Sequence, residues 1–305
     1  MIERRGEPGV RPAPTAAQRN RQKRRRRFLR KVKGFFLFLA VTGGLVLWFL
    51  WQQNGIQTEW YTVSDAPAQM DGYRVALLSD LHGKEFGENN RRLLRFVEGL
   101  HPDMIAVTGD LIDRGDQIDV IAPLARGLSR IAPTYYVTGN HEWALGRVND
   151  VRSILSKNGV QVLSNEVVTE KRGGITLAIA GVDDPNGYAD QMTGDELRET
   201  FEADYAILLS HRDTVEEYGD WGYDLVLSGH SHGGVIRIPF KDQGLFSTDR
   251  TFFPKYAGGM FPLSEGGWCV VSRGLGSNTV PIPAFRLFNR PDVPVIQFQQ
   301  EAEEP

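Results

Sequence analysis

Two different apolar patterns divide the chain. Residues 34–51 form a stretch of 18 residues without a charged side chain. As a helix this stretch would be about 27 Å long, which is enough to cross the hydrocarbon core of a bilayer. Residues 72–300 instead alternate short apolar runs with amphipathic segments of helical period. The pattern predicts one transmembrane helix followed by a folded domain.

The first half of the folded domain reads as strands alternating with helices. Strands are predicted at 73–79, 103–108, 134–138, 160–168, 175–180, 206–210 and 224–228, and helices at 89–100, 118–128, 148–157 and 194–202. This alternation favours an α/β domain with a largely parallel sheet. Later strands, predicted at 235–238, 268–272, 284–287 and 293–298, have little helix between them. That spacing is typical of a second, more antiparallel sheet packed on the first.

Charge is distributed unevenly along the chain. Residues 1–33 carry 13 Lys or Arg and 2 Glu, whereas the remaining residues carry 22 basic and 36 acidic side chains. A basic flank before an apolar segment places the N-terminus in the cytoplasm and the residues beyond the segment outside. The predicted organisation is a basic cytoplasmic tail (1–33), expected to be disordered or surface-bound, a transmembrane anchor (34–51), a polar linker (52–71), the folded domain (72–300) and a short tail (301–305). We therefore expect a single-pass protein of the cell membrane with an extracytoplasmic folded domain.

Two other interpretations of the N-terminus compete with the anchor. A basic run can bind nucleic acid or act as a nuclear signal, but this one abuts an apolar segment of membrane-spanning length, so no nucleic acid partner is expected. Residues 25–30 also look like a twin-arginine export motif, which leaves the export route open. The apolar segment is long for a cleaved signal, and no Ala-x-Ala site follows it closely. We expect the segment to be retained.

Ligand-type side chains follow five of the predicted strands at the point where each strand ends. They are Asp80 with His82, Asp110, Asn140 with His141, His211, and His230 with His232. Ligands of open α/β sheets gather outside the carboxyl ends of the strands, so we expect these side chains to converge. Five of the six histidines belong to this set, and only His101, before a proline, reads as a loop residue.

The donor types indicate the kind of site. Carboxylate oxygens, an amide oxygen and imidazole nitrogens suit divalent ions such as Mn, Fe, Zn or Ni. The single cysteine, Cys269, lies in an apolar run and excludes both an internal disulfide and a cysteine-based zinc site. Seven donors are too many for one ordinary ion and suit two ions about 3.5–4 Å apart, the arrangement that activates water for in-line phosphoryl displacement. Asp110, a central carboxylate, is the natural bridge between them.

These motifs together resemble those of a known family. The segments Asp80 to His82, Gly109 to Gly115, Gly139 to Glu142, Ser210 to His211 and Gly229 to His232 are similar, in order, to the five motifs of the calcineurin-like metallophosphoesterases. Three later segments, Gly233 to Pro239, Val271 to Gly276 and Arg286 to Pro291, resemble the branch with an N-terminal membrane or export segment. That branch includes hydrolases of the UDP-diacylglucosamine pyrophosphatase type and related phosphodiesterases. The resemblance implies an α/β fold, a four-layer α/β/β/α sandwich of two mixed sheets.

The resemblance also implies a role for each residue. One ion would take Asp80, His82, Asp110 and His232, and the other would take Asp110, Asn140, His211 and His230. His141 would then be free to act as a general acid or to stabilise charge on the leaving oxygen. Arg114 could contact a substrate phosphate or could instead hold its own loop through an ion pair.

The expected function is hydrolysis of phosphodiester, phosphomonoester or pyrophosphate bonds by a metal-activated water, on a substrate that could be lipid-linked. Two alternatives stay open: a tethered metal-binding scaffold without turnover, and a phosphoprotein phosphatase, which Asp113-Arg114-Gly115 suggests. The aromatic residues Phe252, Phe253, Tyr256, Phe261 and Trp268 could form a lipid-facing rim, although packing within the fold is the favoured interpretation.

Overall fold

The computed structural model describes residues 15–187, 192–247, 251–277 and 285–300. The chain divides into two compact units, Met1–Leu50 and Trp51–Pro305. The predicted tail at 301–305, and residues 1–14 of the predicted basic tail, lie outside the described residues.

A single long helix, α1 (Ala16–Asn54), contains both the basic and the apolar segments. From Ala16 onward the predicted basic tail is helical and not disordered. Arg, Lys, Gln and Ala are strong helix formers, and extending an existing helix needs no new nucleus. Within α1, Arg19–Asn54 is long and apolar enough by length and composition to cross a membrane, and no residue of its apolar window is buried.

The second unit carries twelve strands among its described residues. In chain order they are β1 (Trp60–Val63), β2 (Arg74–Leu78), β3 (Met104–Thr108), β4 (Thr134–Val137), β5 (Gln161–Val162), β6 (Glu166–Arg172), β7 (Ile175–Gly181), β8 (Tyr205–Leu209), β9 (Leu225–Ser228), β10 (Gly259–Pro262), β11 (Trp268–Val271) and β12 (Val295–Phe298). The helices after α1 are α2 (Arg91–Glu98), α3 (Ile121–Ile131), α4 (Asn140–Ala144), α5 (Val148–Lys157), α6 (Gly194–Arg198) and α7 (Val215–Tyr218).

These strands form two six-stranded mixed sheets. The first has the order β1-β12-β2-β3-β4-β5, and the second has the order β10-β11-β9-β8-β7-β6. In the first sheet only the β12–β2 pair is antiparallel. In the second sheet the two outer pairs, β10–β11 and β6–β7, are antiparallel, whereas the central strands run parallel. The carboxyl ends of the central strands in each sheet therefore share one edge.

Three apolar clusters separate four layers. Along β2, Ala76 and Leu78 belong to the cluster beneath α2, α3 and α5, whereas Val75 and Leu77 belong to the cluster between the two sheets. This alternation follows from the two-residue period of a strand that is covered on both faces. A third cluster packs the outer face of the second sheet against α6 and α7. The predicted four-layer α/β/β/α sandwich is confirmed.

The predicted polar linker at 52–71 is wrong as a spacer. Strand β1 within it pairs in parallel with β12, and Val63 and Met70 are buried in the core between the sheets. The sequence signal is only four residues long, Trp60 to Val63, and sits in polar surroundings. The folded unit therefore begins near Trp51 rather than at residue 72.

Three of the predicted strands also differ from those observed. The strand expected at 160–168 is two strands, β5 and β6, in different sheets, because Asn165 between them turns the backbone with a φ of 58°. Residues 235–238 make only isolated bridges, since Val235 itself has a φ of 53°. At 284–287, residue 284 lies outside the described residues, and Leu287 forms one isolated bridge with Ile236.

Candidate metal centre

The predicted donors leave both sheets at their shared carboxyl edge. Asp80 follows β2, Asp110 follows β3, and Asn140 begins α4 directly after β4 in the first sheet. His211 follows β8 and His230 follows β9 in the second sheet. The structure therefore brings donors from two sheets to one place.

The backbone at these donors is unusual. Asp80, His82, Asp110, His230 and His232 all have φ values between 49° and 67°. This left-handed conformation costs a residue with a side chain about 1–3 kcal/mol and is concentrated at functional sites. The chain turns sharply at each strand end, so these side chains point into a common space rather than continue along the sheet.

Two glycines allow the loops that carry Asp110 and Asn140 to touch. A side chain on Gly139 would collide with the Asp110 carboxylate, and one on Gly109 would collide with the backbone of Gly139. The glycine before each of these donors is therefore required by the close approach of the two loops.

Asp80, His82 and His232 form a first group of buried donors. His82 Nε2 lies 3.0 Å from His232 Nε2 and 3.9 Å from Asp80 Oδ1, and His232 Nε2 lies 3.6 Å from Asp80 Oδ1. Donors held ~2.1 Å from one ion stand ~3.0–3.4 Å from one another in tetrahedral or octahedral geometry. One of the three distances lies in this range and the other two exceed it by at most about 0.5 Å, so these side chains could hold a divalent cation.

Asp110, Asn140, His211 and His230 form a second group. His211 Nε2 lies 3.4 Å from Asp110 Oδ2, 3.0 Å from Asn140 Oδ1 and 3.2 Å from His230 Nδ1. Asp110 Oδ2 also lies 3.7 Å from His82 Nε2 in the first group. The Asp110 carboxylate therefore stands between the two groups.

The charges within the cluster are unbalanced without a cation. Burial disfavours the charged imidazole of His211, but the Asp110 carboxylate outweighs this and raises the His211 pKa to about 10. Burial alone would raise the pKa of Asp110, yet the neighbouring imidazoles, His211 first, hold it well below its usual range. Burial, together with His82, lowers the pKa of His232 well below its ordinary value. The site draws positive charge toward buried carboxylates, and a divalent cation would supply that charge.

His141 lies at the mouth of the cluster. Its side chain is 24% exposed, and its Nε2 lies 3.9 Å from Asp110 Oδ2. Its Nδ1 lies 3.2 Å from the buried Asp113 Oδ1, which is also 3.6 Å from His82 Nδ1. Burial lowers the pKa of His141.

Arg114, the residue after Asp113, is exposed, and its backbone N–H donates to Gln117 Oε1 at 2.9 Å.

Glu142 is a buried residue that the sequence patterns did not single out. Its Oε2 accepts the backbone N–H groups of Gly139 at 2.8 Å and Asp110 at 3.0 Å, and its Oε1 accepts that of Leu111 at 2.7 Å. One side chain thus joins the loop after β3 to the start of α4. The sequence feature that could have identified Glu142 is its position directly after two predicted site residues, Asn140 and His141.

Arg212 and Asp184 were also missed. Arg212 forms a two-point ion pair with the buried Asp184, with distances of 2.6 Å from Nε to Oδ2 and 3.1 Å from Nη2 to Oδ1. Its Nη1 lies 3.2 Å from His230 Nε2. Asp184 is distant in sequence from each motif. Only the folded chain shows that it holds Arg212 beside His230.

The same residues are matched in comparisons with known proteins. The family model for calcineurin-like phosphoesterases matches residues 73–234, which contain all the donors described above. The chain belongs to this family. An uncharacterized metallophosphoesterase of Aquifex aeolicus is 33% identical over 233 residues, covering 73% of this chain and 84% of that protein. The predicted family is therefore confirmed.

Other relatives share parts of this chain. A bovine transmembrane protein with a metallophosphoesterase domain is 30% identical over 261 residues, covering 79% of this chain and 56% of that protein. Among solved structures, the sulfate thiohydrolase SoxB of Thermus thermophilus aligns with a TM-score of 0.44 at 16% identity, covering 68% of this chain and 52% of that one. This chain spans about half the length of these two proteins.

Proposed function

We propose that this protein is a membrane-anchored phosphoesterase that uses two divalent metal ions. One ion would be held by Asp80, His82, Asp110 and His232, and the other by Asp110, Asn140, His211 and His230. The observation that carries the proposal is the place of the Asp110 carboxylate, 3.7 Å from a nitrogen of the first group and 3.4 Å from a nitrogen of the second. Bound there, Mn, Fe, Zn or Ni would lower the pKa of a water and neutralise phosphate charge.

His141 is proposed as the general acid. The Asp113 carboxylate, 3.2 Å from Nδ1, fixes the ring so that Nε2 points toward the donor cluster. A proton on Nε2 would be given to the leaving oxygen as its bond to phosphorus breaks. Arg114, exposed beside Asp113, is proposed to contact a non-bridging phosphate oxygen of the substrate.

The N-terminal helix is proposed as the anchor. Its basic flank precedes its apolar segment, and this order supports a topology with residues 1–33 in the cytoplasm and the catalytic unit outside the cell membrane. A transmembrane relative with the same kind of domain supports anchoring. The proposed substrates are phosphodiesters, phosphomonoesters or pyrophosphates, with lipid-linked compounds accessible to an enzyme held at the bilayer.

The test of turnover compares Asp110→Asn with Asp119→Asn. Asp119 is exposed on the short helical segment after the Asp110 loop, so its variant is a matched control. We expect the control to hydrolyse bis(p-nitrophenyl) phosphate with Mn²⁺ at the unsubstituted rate, and Asp110→Asn to lose that activity and bound metal while keeping its circular dichroism spectrum. Equal rates in both variants would refute the role of Asp110, and metal binding without any hydrolysis in the unsubstituted protein would favour a scaffold.

The test of topology uses protease added to intact cells. An extracytoplasmic catalytic unit is removed under these conditions, and a fluorescent protein fused before Met1 stays protected. Protection of the catalytic unit would instead place it in the cytoplasm, where a phosphoprotein phosphatase would act.

A further inference from the structure

Exposed phenylalanines in strained backbone mark one region of the second unit. Phe240 is fully exposed with a φ of 64°, Phe253 is 57% exposed with a φ of 54°, and Phe288 is 44% exposed with a φ of 54°. A bulky residue at positive φ is a genuine outlier, which costs free energy. Leaving the ring in water adds a second cost. The fold keeps a large part of each of these rings at the surface.

The segments that carry these rings are bonded to each other. The Arg237 N–H donates to Leu287 O at 3.0 Å, next to Phe288. The Leu245 N–H donates to Ile236 O at 2.7 Å, and the Phe253 N–H donates to Leu245 O at 3.1 Å. The exposed phenylalanines therefore belong to one continuous structure after β9 and not to unrelated loops.

The same structure is fastened to the residues that directly follow the apolar segment. The Arg286 N–H donates to Gln53 Oε1 at 2.9 Å, and Gln53 Nε2 donates to Arg286 O at 2.6 Å. The Arg290 guanidinium lies 4.2 Å from the ring centroid of Trp51, the last apolar residue. Covalent connection alone keeps Trp51 and Gln53 within a few residues of the bilayer boundary if the apolar segment spans it. The segments that carry the exposed phenylalanines are bonded to Trp51 and Gln53, so they too would lie near the bilayer boundary.

Phe240 and Phe288 also line a cavity of about 520 Å³. Its other lining residues include the cations Arg237, Lys241, Arg273 and Arg290, and the acids Glu59 and Asp242. Arg273 is paired with Glu59, and Arg237 with Asp242, whose own side chain is 81% exposed. Lys241 is exposed at the rim. Arg273 also lies 3.5 Å from the buried Asp292 carboxylate. The four lining cations exceed these three acids by one, so the cavity favours an anion, and its volume is that of an ordinary small-molecule site.

We propose that Phe240 and Phe288 enter the acyl boundary of an anionic bilayer while the cavity between them receives the phosphate of a lipid headgroup. The proposal rests on the anchoring part of the proposed function. A bilayer fits better than a protein partner because aromatic rings beside cations are the combination found at membrane interfaces, and because these residues adjoin the end of an apolar segment of spanning length. Anchored and seated in this way, the domain would hold a fixed face toward the membrane.

The test labels the full-length chain with an environment-sensitive fluorophore at Phe240→Cys. The buried Cys269, whose thiol pKa burial raises to about 12, remains unlabelled, and the unsubstituted protein gives the background. The matched control is Lys171→Cys, exposed at the end of β6. Because β7 starts after this turn and runs parallel to β8 and β9, Lys171 lies at the edge of the sheet opposite to the donors.

In vesicles of phosphatidylcholine and phosphatidylglycerol, we expect doxyl-labelled lipid to quench the label at 240 and not at 171. A Lys241→Gln change should weaken binding of this face to the vesicle on the order of fivefold, since each basic residue near an anionic surface contributes ~1 kcal/mol. Equal quenching at 240 and 171 would overturn the proposal. Seating in phosphatidylcholine alone at the same strength would overturn the assignment to an anionic bilayer.

Two further measurements separate this inference from the proposed function. A label at Leu47→Cys, within the apolar segment, reports insertion of the anchor: quenching there without quenching at 240 leaves the anchor standing and refutes the seating surface. Hydrolysis of bis(p-nitrophenyl) phosphate by the same labelled proteins reports the metal centre. If the label at 240 is quenched but no hydrolysis is detected, the proposed phosphoesterase activity is refuted and the proposed membrane-facing surface stands.

Discussion

Glu142 offers a sharp test of how the fold holds its metal centre. Its two carboxylate oxygens accept four buried backbone N–H groups, those of Gly139, Asp110, Leu111 and Ile112, at 2.8, 3.0, 2.7 and 3.4 Å. In Glu142→Gln, the amide NH₂ must face one of the two pairs of donors. Two charge-assisted hydrogen bonds, each worth ~1.5–3 kcal/mol, are then lost, because the N–H groups of the side-chain amide and of the backbone point at each other.

The expected loss of stability is therefore about 3 kcal/mol or more, which for a domain of this size lowers the melting temperature by roughly 6–12 °C. The effect on activity has a separate cause. Glu142 fixes the backbone of Asp110 and the start of α4, where Asn140 lies, so its loss lets both donors shift. A displacement of ~1 Å in a catalytic site can lower the rate about 10²-fold.

The assay measures melting by circular dichroism, metal affinity by titration calorimetry and kcat on bis(p-nitrophenyl) phosphate, in Glu142→Gln and in the control Glu98→Gln. Glu98 is exposed at the end of α2, so we expect its variant to match the unsubstituted protein. If Glu142→Gln matches the control in all three measurements, the hydrogen bonds to Glu142 do not hold the loops.

Three further changes test other contacts. In Asp113→Asn, loss of the carboxylate that faces the Nδ1 atoms of two histidines should lower metal affinity 10–100-fold, as calorimetry would show; unchanged affinity would contradict this role. Burial lowers the Lys84 pKa to about 7 from an ordinary 10.5, so the unfolded chain binds more protons between these values, and the free energy of unfolding should rise with pH across that window. In Lys84→Met, the free energy of unfolding measured by urea denaturation should rise less with pH, and an unchanged dependence on pH would contradict the prediction. Chelation should lower the melting temperature, since a metal at ~1,000 times its Kd contributes ~4 kcal/mol; a constant melting temperature would exclude a tightly bound ion.

The sequence predicted best where apolar period and ligand chemistry coincide. Buried strands such as β3 and β8 are unbroken apolar runs that end at a donor, and parallel strands deliver such ends to one edge. Position along the chain therefore implied position in space. This is why donors as distant in sequence as Asp80 and His232 could be grouped before the fold was known.

The sequence failed where a role depends on distant contacts. β1 is four residues long and gains its stability from pairing with β12, more than two hundred residues away, which no local pattern indicates. Asp184 has no motif of its own, and its role depends on an ion pair with Arg212. The aromatic residues near residue 252 were expected to pack in the core or in loops. Tyr256 and Phe261 pack against the outer cluster of the second sheet. Phe252 is 67% exposed and contacts the ring of Phe246, and Phe253 is 57% exposed.

Strained backbone is concentrated at the candidate metal centre, where five of the predicted donors have a positive φ. Five donors in left-handed backbone cost about 5–15 kcal/mol together, which equals the whole stability of an ordinary domain. The flanking structure offsets this cost through buried strands on both sides and through the bonds of Glu142 and Asp184. The carboxylates that make these contacts, those of Glu142 and Asp184, are not among the proposed metal ligands. The ligands therefore need not rearrange before they hold a cation. A preformed centre of this kind is expected to bind metal without ordering the chain, so its binding enthalpy should carry little heat-capacity change.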